Sequence, residues 1–374
     1  MPVSVRFMPL RHGPARPEGP SRGDQLSKEE TKVRRVVVMG ASAGGVEALS
    51  KVVAEFPTDL PVAVFVVVHV PQTARSVLPR ILSRAGDLKA HHVFEREKIE
   101  AGVIYVAPPD RHLILRRESV NSVFGPRENG HRPAIDPLFR SAAAEYQDKA
   151  IGVVLSGNLD DGTSGLASIK AAGGIAIVQD PEDANHKGMP KSAIENVAVD
   201  YVLPVSEIGA KIVELVNSRL AGDEYEEPHE NLEREVDAAR LNLGPPGEEP
   251  EGEPSGYTCP ECNGGLWEVV EGELVRYRCR VGHAFTAESL LAASGSQVEA
   301  AMWAALRALE ENAAYSGRLA KRAKTMENES AARRFKDQSD RASQHAFTLR
   351  KILLSVPAPE YEEPITVGES NQEI

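Results

Sequence analysis

Residues 40–45 read Gly-Ala-Ser-Ala-Gly-Gly, set between the apolar run 36–39 and a helix-like pattern that includes Val46, Ala48 and Leu49. A turn of this composition does one of two kinds of chemistry. Small residues around Ser42 let the chain turn sharply and present the hydroxyl at the head of a helix, as in the pattern G-x-S-x-G. The same turn can instead cradle a phosphate with its backbone amides. Cys259, Cys262, Cys279 and His283 form the other chemically suggestive group, spaced C-x2-C and C-x3-H with sixteen residues between the two pairs.

What surrounds Ser42 depends on the elements that carry the turn. Near-continuous apolar runs occur at 36–39, 62–68, 102–107, 151–156 and 174–179, with helical patterns between them. Such runs mark strands buried on both faces, so the expectation is an α/β fold with a doubly wound, mostly parallel sheet and helices on both faces, over 34–218. In such sheets ligands bind at the carboxyl ends of the strands. There the second run ends at His69 and the fourth leads into Asp160 and Asp161. A dinucleotide site calls for an acidic residue where His69 stands. Serine, histidine and aspartate at three strand ends suit nucleophilic catalysis: an imidazole takes the hydroxyl proton and a carboxylate orients the imidazole. Asp160-Asp161-Gly162 is also ordinary turn chemistry. The chain order Ser, His, Asp differs from that of the α/β-hydrolases.

The formal net charge of -12 is unevenly spread. Residues 221–255 hold twelve acidic side chains against two arginines, and the remainder is close to neutral. No basic stripe with interleaved aromatics argues for nucleic acid. The longest apolar run, 62–70, is about half of what a membrane-spanning helix needs, so no membrane insertion is expected, and a cytoplasmic location follows from the lack of an apolar signal core. Residues 1–33 read as a disordered leader, 219–256 as an acidic linker and 357–374 as a flexible tail.

Every cysteine of the chain lies in the Cys3His group, with two candidate strands between its halves. That arrangement predicts a zinc ribbon at 257–285 holding a structural zinc, with no position open for catalysis. Chelation is then expected to unfold the ribbon and spare activity elsewhere. A helical hairpin is expected at 286–356, from apolar stripes through Val298, Met302, Leu306 and Leu309 and through Phe335, Ala342, Ala346 and Ile352. Its bland role is self-packing; a weaker alternative is docking of a partner helix.

The segments GASAGG, His69-Val70-Pro71, Arg132–Asp136, Leu155–Gly165 and Gly188–Glu195 resemble, in order and spacing, the catalytic domain of the chemotaxis protein-glutamate methylesterases, the CheB type. The resemblance covers 34–218. It implies a serine esterase that hydrolyses glutamate methyl esters on chemoreceptors or another methylated signalling protein, releasing methanol, with receptor glutamine deamidation as a second activity. It matches Ser42 to the nucleophile, His69 to the base and Asp161 to the orienting carboxylate, and implies no cofactor for catalysis. Asn158 and Leu159 stand where the family pattern has Met and Gly, and leucine tolerates positive φ poorly. Only about 33 residues precede the first strand, too few for the family's usual receiver domain. Pro133 and Pro190 read as loop-shaping residues and Asp136 as a cap for a helix beginning near Pro137, while Arg132 and Met189 are placed near the cleft without a catalytic role. The alternatives are a scaffold that kept the fold while losing activity, motivated by the altered loop, and a nucleotide-dependent oxidoreductase, resting on the glycine-rich turn alone.

Overall fold

The computed structural model describes residues 35–73, 76–116, 118–218, 252–271 and 274–355. The expected leader and tail, and the expected linker up to residue 251, lie outside them. The large domain runs β1 (Val36–Ala41), α1 (Gly45–Ala54), β2 (Ala63–Val68), α2 (Leu78–Ala85), β3 (Lys89–His92), β4 (Glu97–Lys98), β5 (Val103–Val106), β6 (His112–Arg116), β7 (Ser119–Val123) and α3 (Ile135–Tyr146). It continues with β8 (Ala150–Val154), α4 (Thr163–Ala171), β9 (Ile175–Gln179), α5 (Gly188–Asn196), β10 (Tyr201–Leu203) and α6 (Val205–Asn217).

Seven strands form one sheet in the order β10-β9-β8-β1-β2-β5-β3, and every pairing in it is parallel. Successive side chains of a strand point to opposite faces, so β1 sends Val36 and Val38 into one core and Val37, Met39 and Ala41 into the other. The first core is closed by α3, α4 and α5 through Leu138, Phe139, Leu166, Ile169 and Met189. The second is closed by α1, α2 and α6 through Leu49, Val52, Leu82, Ile208 and Ile212. Both faces of β1 and β2 are sealed, which is why their sequences run apolar without alternation. A three-stranded antiparallel sheet, β4-β7-β6, accompanies the main one.

The C-terminal region begins with an antiparallel sheet of β11 (Glu253–Thr258), β12 (Gly265–Glu271), β13 (Leu274–Cys279) and β14 (Ala284–Thr286). Its first strand takes residues expected to belong to the linker. Two helices follow, α7 (Ala287–Thr325) and α8 (Glu329–Ser355). They meet through Leu306, Ala346 and Leu353 with Met302, Leu309 and Leu349. Val298 and Ile352, assigned to the apolar stripes from sequence, lie on the exposed side instead.

Candidate active site

The ends of β1, β2 and β8 are tied together by backbone hydrogen bonds before any side chain takes part. The amide of Ser42 donates to Ser156 O at 2.9 Å, that of His69 to Ala41 O at 3.3 Å, and that of Leu155 to Gly40 O at 2.9 Å. The turn from β1 into α1 requires Gly44, whose φ of +69° is left-handed and whose missing Cβ would stand 2.8 Å from the Cβ of Asn185.

This frame brings Ser42, His69 and Asp161 into one row. His69 Nδ1 lies 3.1 Å from Ser42 Oγ, and His69 Nε2 lies 2.7 Å from Asp161 Oδ2. An ionised carboxylate only accepts, so Nε2 carries the proton and donates to Asp161, and the Nδ1 lone pair faces the serine hydroxyl. Asp161 Oδ2 also accepts from Ile135 N at 2.7 Å, and its Oδ1 accepts from Asn129 Nδ2 at 2.9 Å. Burial by itself would raise this carboxyl; the hydrogen bond and electrostatic attraction of the His69 ring, with the Ile135 amide, outweigh it and hold Asp161 well below the usual carboxylate range. Asp160 points elsewhere, its Oδ1 accepting from Ser289 Oγ at 2.6 Å.

Three residues near the row carried no such role in the sequence. Asn129, in left-handed conformation at φ +52°, spends both amide protons on carboxylates, one on Asp161 and one on Asp136 Oδ2 at 3.0 Å. His131 stacks face to face on His69, with ring centroids 3.7 Å apart. Desolvation, reinforced by His69, pulls its pKa down to about 3, so its ring is neutral at ordinary pH and does not compete for the Asp161 charge. Asp136, expected to cap its own helix, does not: α3 starts at Ile135, and Asp136 Oδ1 accepts instead from Gly162 N at 3.1 Å and Gly165 N at 2.7 Å. It thereby satisfies amides at the start of α4, next door to Asp161. Burial and the Asp161 charge push Asp136 up to about 8. In sequence, Asn129-Gly130 signals a turn and nothing more.

The loop after β8 takes a sharp course. Leu159 adopts φ +59° and Gly162 φ +96°. Gly157 is pressed between the serine and α5: a Cβ there would collide with Met189 Sδ and lie 2.9 Å from Ser42 Cβ. Met189, fully buried, therefore packs directly behind Gly157 beside the serine, while Asn158 is exposed.

A family model described as CheB methylesterase matches residues 37–212. A protein of Leptospira interrogans, provisionally named protein-glutamate methylesterase/protein-glutamine glutaminase, is 40% identical over 185 residues, which cover 96% of it and 49% of this chain. This chain belongs to the CheB methylesterase family. With the family it belongs to the carboxylic ester hydrolases. The Thermotoga maritima protein-glutamate methylesterase/protein-glutamine glutaminase is 36% identical over 186 residues, 49% of this chain and 54% of that protein. The crystal structure of the Thermotoga maritima CheB methylesterase catalytic domain is 34% identical, covers 48% of this chain and 98% of that one, and superposes with a TM-score of 0.47. Among the described residues no helix is long and apolar enough to cross a membrane.

The Cys3His group lies beyond the segment that the CheB methylesterase model matches. Cys259, Cys262, Cys279 and His283 turn their ligand atoms toward one point, all within 4.8 Å of one another. Cys262 and Cys279 Sγ are 3.6 Å apart, Cys279 Sγ and His283 Nδ1 3.6 Å, and Cys259 Sγ and His283 Nδ1 3.8 Å. Tetrahedral zinc, with bonds of about 2.3 Å to sulfur and about 2.0–2.1 Å to nitrogen, sets its ligands roughly 3.5–3.8 Å apart. The four residues can hold a metal ion, and their donors and spacing fit zinc.

Proposed function

We propose that this CheB methylesterase family member hydrolyses glutamate γ-methyl esters on methylated chemoreceptors in the cytoplasm, and deamidates receptor glutamines by the same route. Ser42 is the nucleophile, His69 the base and Asp161 the orienting carboxylate. The observation that carries this reading is the unbroken row from Ser42 Oγ to His69 Nδ1 at 3.1 Å and from His69 Nε2 to Asp161 Oδ2 at 2.7 Å. Ser42 Oγ attacks the ester carbonyl while its proton passes to Nδ1. The imidazolium that forms is stabilised by Asp161 through Nε2–H, and it returns the proton to the departing methoxide, so that methanol leaves and an acyl-enzyme remains. Water, activated by the same nitrogen, then releases glutamate and restores the serine. The developing oxyanion is assigned to backbone amides at the start of α1, where the helix dipole favours negative charge.

The large domain, 34–218, houses this chemistry. Zinc at Cys259, Cys262, Cys279 and His283 would be structural: four protein ligands close the coordination sphere. The metal supplies folding energy there, and no step of the ester hydrolysis passes through it.

The test is methanol release from a methylated chemoreceptor preparation by the folded wild-type protein and by Ser42→Ala, His69→Ala, Asp161→Ala and Asp160→Ala. Loss of activity by a factor on the order of 10³ or more is expected for the first two, and a fall at Asp161→Ala at least about tenfold deeper than at Asp160→Ala. Equal rates for wild type and Ser42→Ala would overturn the assignment.

A further inference from the structure

The C-terminal metal-binding region docks onto the very segment that holds Asp161. Strand β14 starts at Ala284, directly after the ligand His283, and lies beside residues 127–129. Asn129 N donates to Ala284 O at 2.8 Å, and Ala284 N donates to Arg127 O at 3.3 Å. Thr286 N donates to Asn129 Oδ1 at 3.0 Å. The Asn129 amide is thus fully committed: its oxygen to β14, its two protons to Asp161 and Asp136. Two further contacts flank it. Arg276 Nη2 from β13 donates to Glu128 Oε2 at 2.9 Å, and Glu128 also pairs with Arg140 of α3. At the start of α7, Ser289 Oγ donates to Asp160, the neighbour of Asp161.

We infer that the metal-binding region is part of the catalytic scaffold, and that Asn129 is the positioning residue through which metal held by Cys259, Cys262, Cys279 and His283 keeps the Asp161 carboxylate on His69. This rests on the reading of Ser42, His69 and Asp161 as the triad. The physical link is short. Cys279 N donates to His283 O at 3.0 Å, so the second ligand pair and β14 form one tight turn. The core behind the ligands consists of Leu266, Phe285 and Leu290 with two of the cysteines themselves. A core of that size does not hold a small sheet together without its metal. Once β14 loosens, Asn129 loses Ala284 O, which accepts from its backbone N–H, and Thr286 N, which donates to its side-chain Oδ1, so only the two carboxylates still restrain the left-handed residue. With that residue free to relax, Asp161 keeps the Ile135 amide, His69 and the 3.4 Å donation from Asp136 N, but loses the shorter Asn129 amide donation to Oδ1. The docking changes the expected outcome of chelation. An independent ribbon would let chelation spare hydrolysis; a docked one makes removal of a metal that touches no substrate slow the serine chemistry.

The experiment uses the full chain, zinc-loaded or stripped by a chelator, as wild type, Asn129→Ala and Ser42→Ala. Three quantities are read: the rate of labelling of Ser42 by a serine-directed phosphonate, the bound zinc, and amide hydrogen exchange in β1, β8 and residues 128–135. Chelation of the wild type is expected to slow labelling about tenfold or more. Protection should be lost at Asn129 and kept at Ile135 and in β1 and β8, and zinc should restore the rate. Asn129→Ala with zinc bound should already be slow, and chelation should change it by no more than about twofold, because two perturbations of one linkage do not multiply. The inference fails if chelation leaves wild-type labelling within about twofold, if the two losses multiply, or if protection of β1 and β8 disappears with the zinc. If zinc-loaded wild type is labelled no faster than Ser42→Ala, the triad itself is wrong and the inference falls with it.

Discussion

Leu159 holds a φ of +59° two residues from the Asp161 carboxylate. For a residue with a γ-branched side chain the left-handed region costs about 1–2 kcal/mol, and the loop bears that cost between Gly157, wedged under Met189, and Asp160, anchored to Ser289. Leu159→Gly removes the steric conflict and loosens the unfolded chain, so the net expectation is a gain of about 0.5–1 kcal/mol, read as a raised midpoint of thermal unfolding. A lowered midpoint would mean that the half-buried leucine side chain contributes more than its backbone costs. At this scale the meeting of Ser42, His69 and Asp161 was legible because each follows a strand whose apolar run is unmistakable. The choice of Asp161 over Asp160 rested on family resemblance. In the structure the two carboxylates differ in direction: Asp160 turns toward α7 and Asp161 toward His69. Asn129 and His131 were silent for the opposite reason: their surroundings depend on partners distant in sequence, Asp161 at 32 residues from Asn129 and His69 at 62 residues (131 − 69) from His131, and no local pattern encodes them.

Between elements, the close approach of α5 to the end of β8 is made possible by the absence of a side chain at 157. Gly157→Ala forces a methyl group against Met189 Sδ and the Cβ of Ser42. Overpacking of this kind costs about 1–3 kcal/mol, and here the displaced atoms include those of the serine. The variant is expected to lose stability and to label more slowly with a phosphonate, and Met189→Ala in the same chain should recover much of the labelling rate by vacating the space. Failure of the second substitution to help would mean that the backbone, not the methionine, absorbs the strain. The same scale shows which elements the sequence hides. Strands β1, β2, β5, β8 and β9 read clearly because they are sealed on both faces. Strand β3, Lys-Ala-His-His at the sheet edge, has no apolar run to display, and β11, Glu-Pro-Ser-Gly-Tyr-Thr, is mostly exposed and carries Pro and Gly that read as loop. Helix α7 begins at Ala287, earlier than its apolar stripe suggests, because Gly295 and its serine neighbours look like a break while Thr286 caps the true start by accepting from Ser289 N at 3.2 Å.

For the molecule as a whole, the same buried groups set how stability responds to pH. His131 is held near 3 by desolvation, and the fully buried His112 is lowered by desolvation too, against an ordinary value of 6.5. Below pH 6.5 the unfolded chain binds protons at both positions and the folded chain does not, so stability rises with pH up to about 6.5 and falls on acidification. Asp136, raised to about 8, has the opposite sign: from its ordinary 3.8 upward the unfolded chain has lost a proton that the folded chain keeps, so its contribution declines with rising pH until about 8. Two rising contributions against one falling contribution below pH 6.5, and the falling one alone above it, place the optimum of these three groups near 6.5. His131→Phe keeps a flat ring against His69 and removes one titration. Compared with wild type, the variant should lose less stability on acidification below pH 6.5, by up to about 1.4 kcal/mol per pH unit, when urea unfolding is measured from pH 7 to 4.5. Parallel curves for the two proteins would show that His131 takes up its proton as readily in the folded chain as in the unfolded one. That result would remove the ground for treating it as a neutral partner of His69.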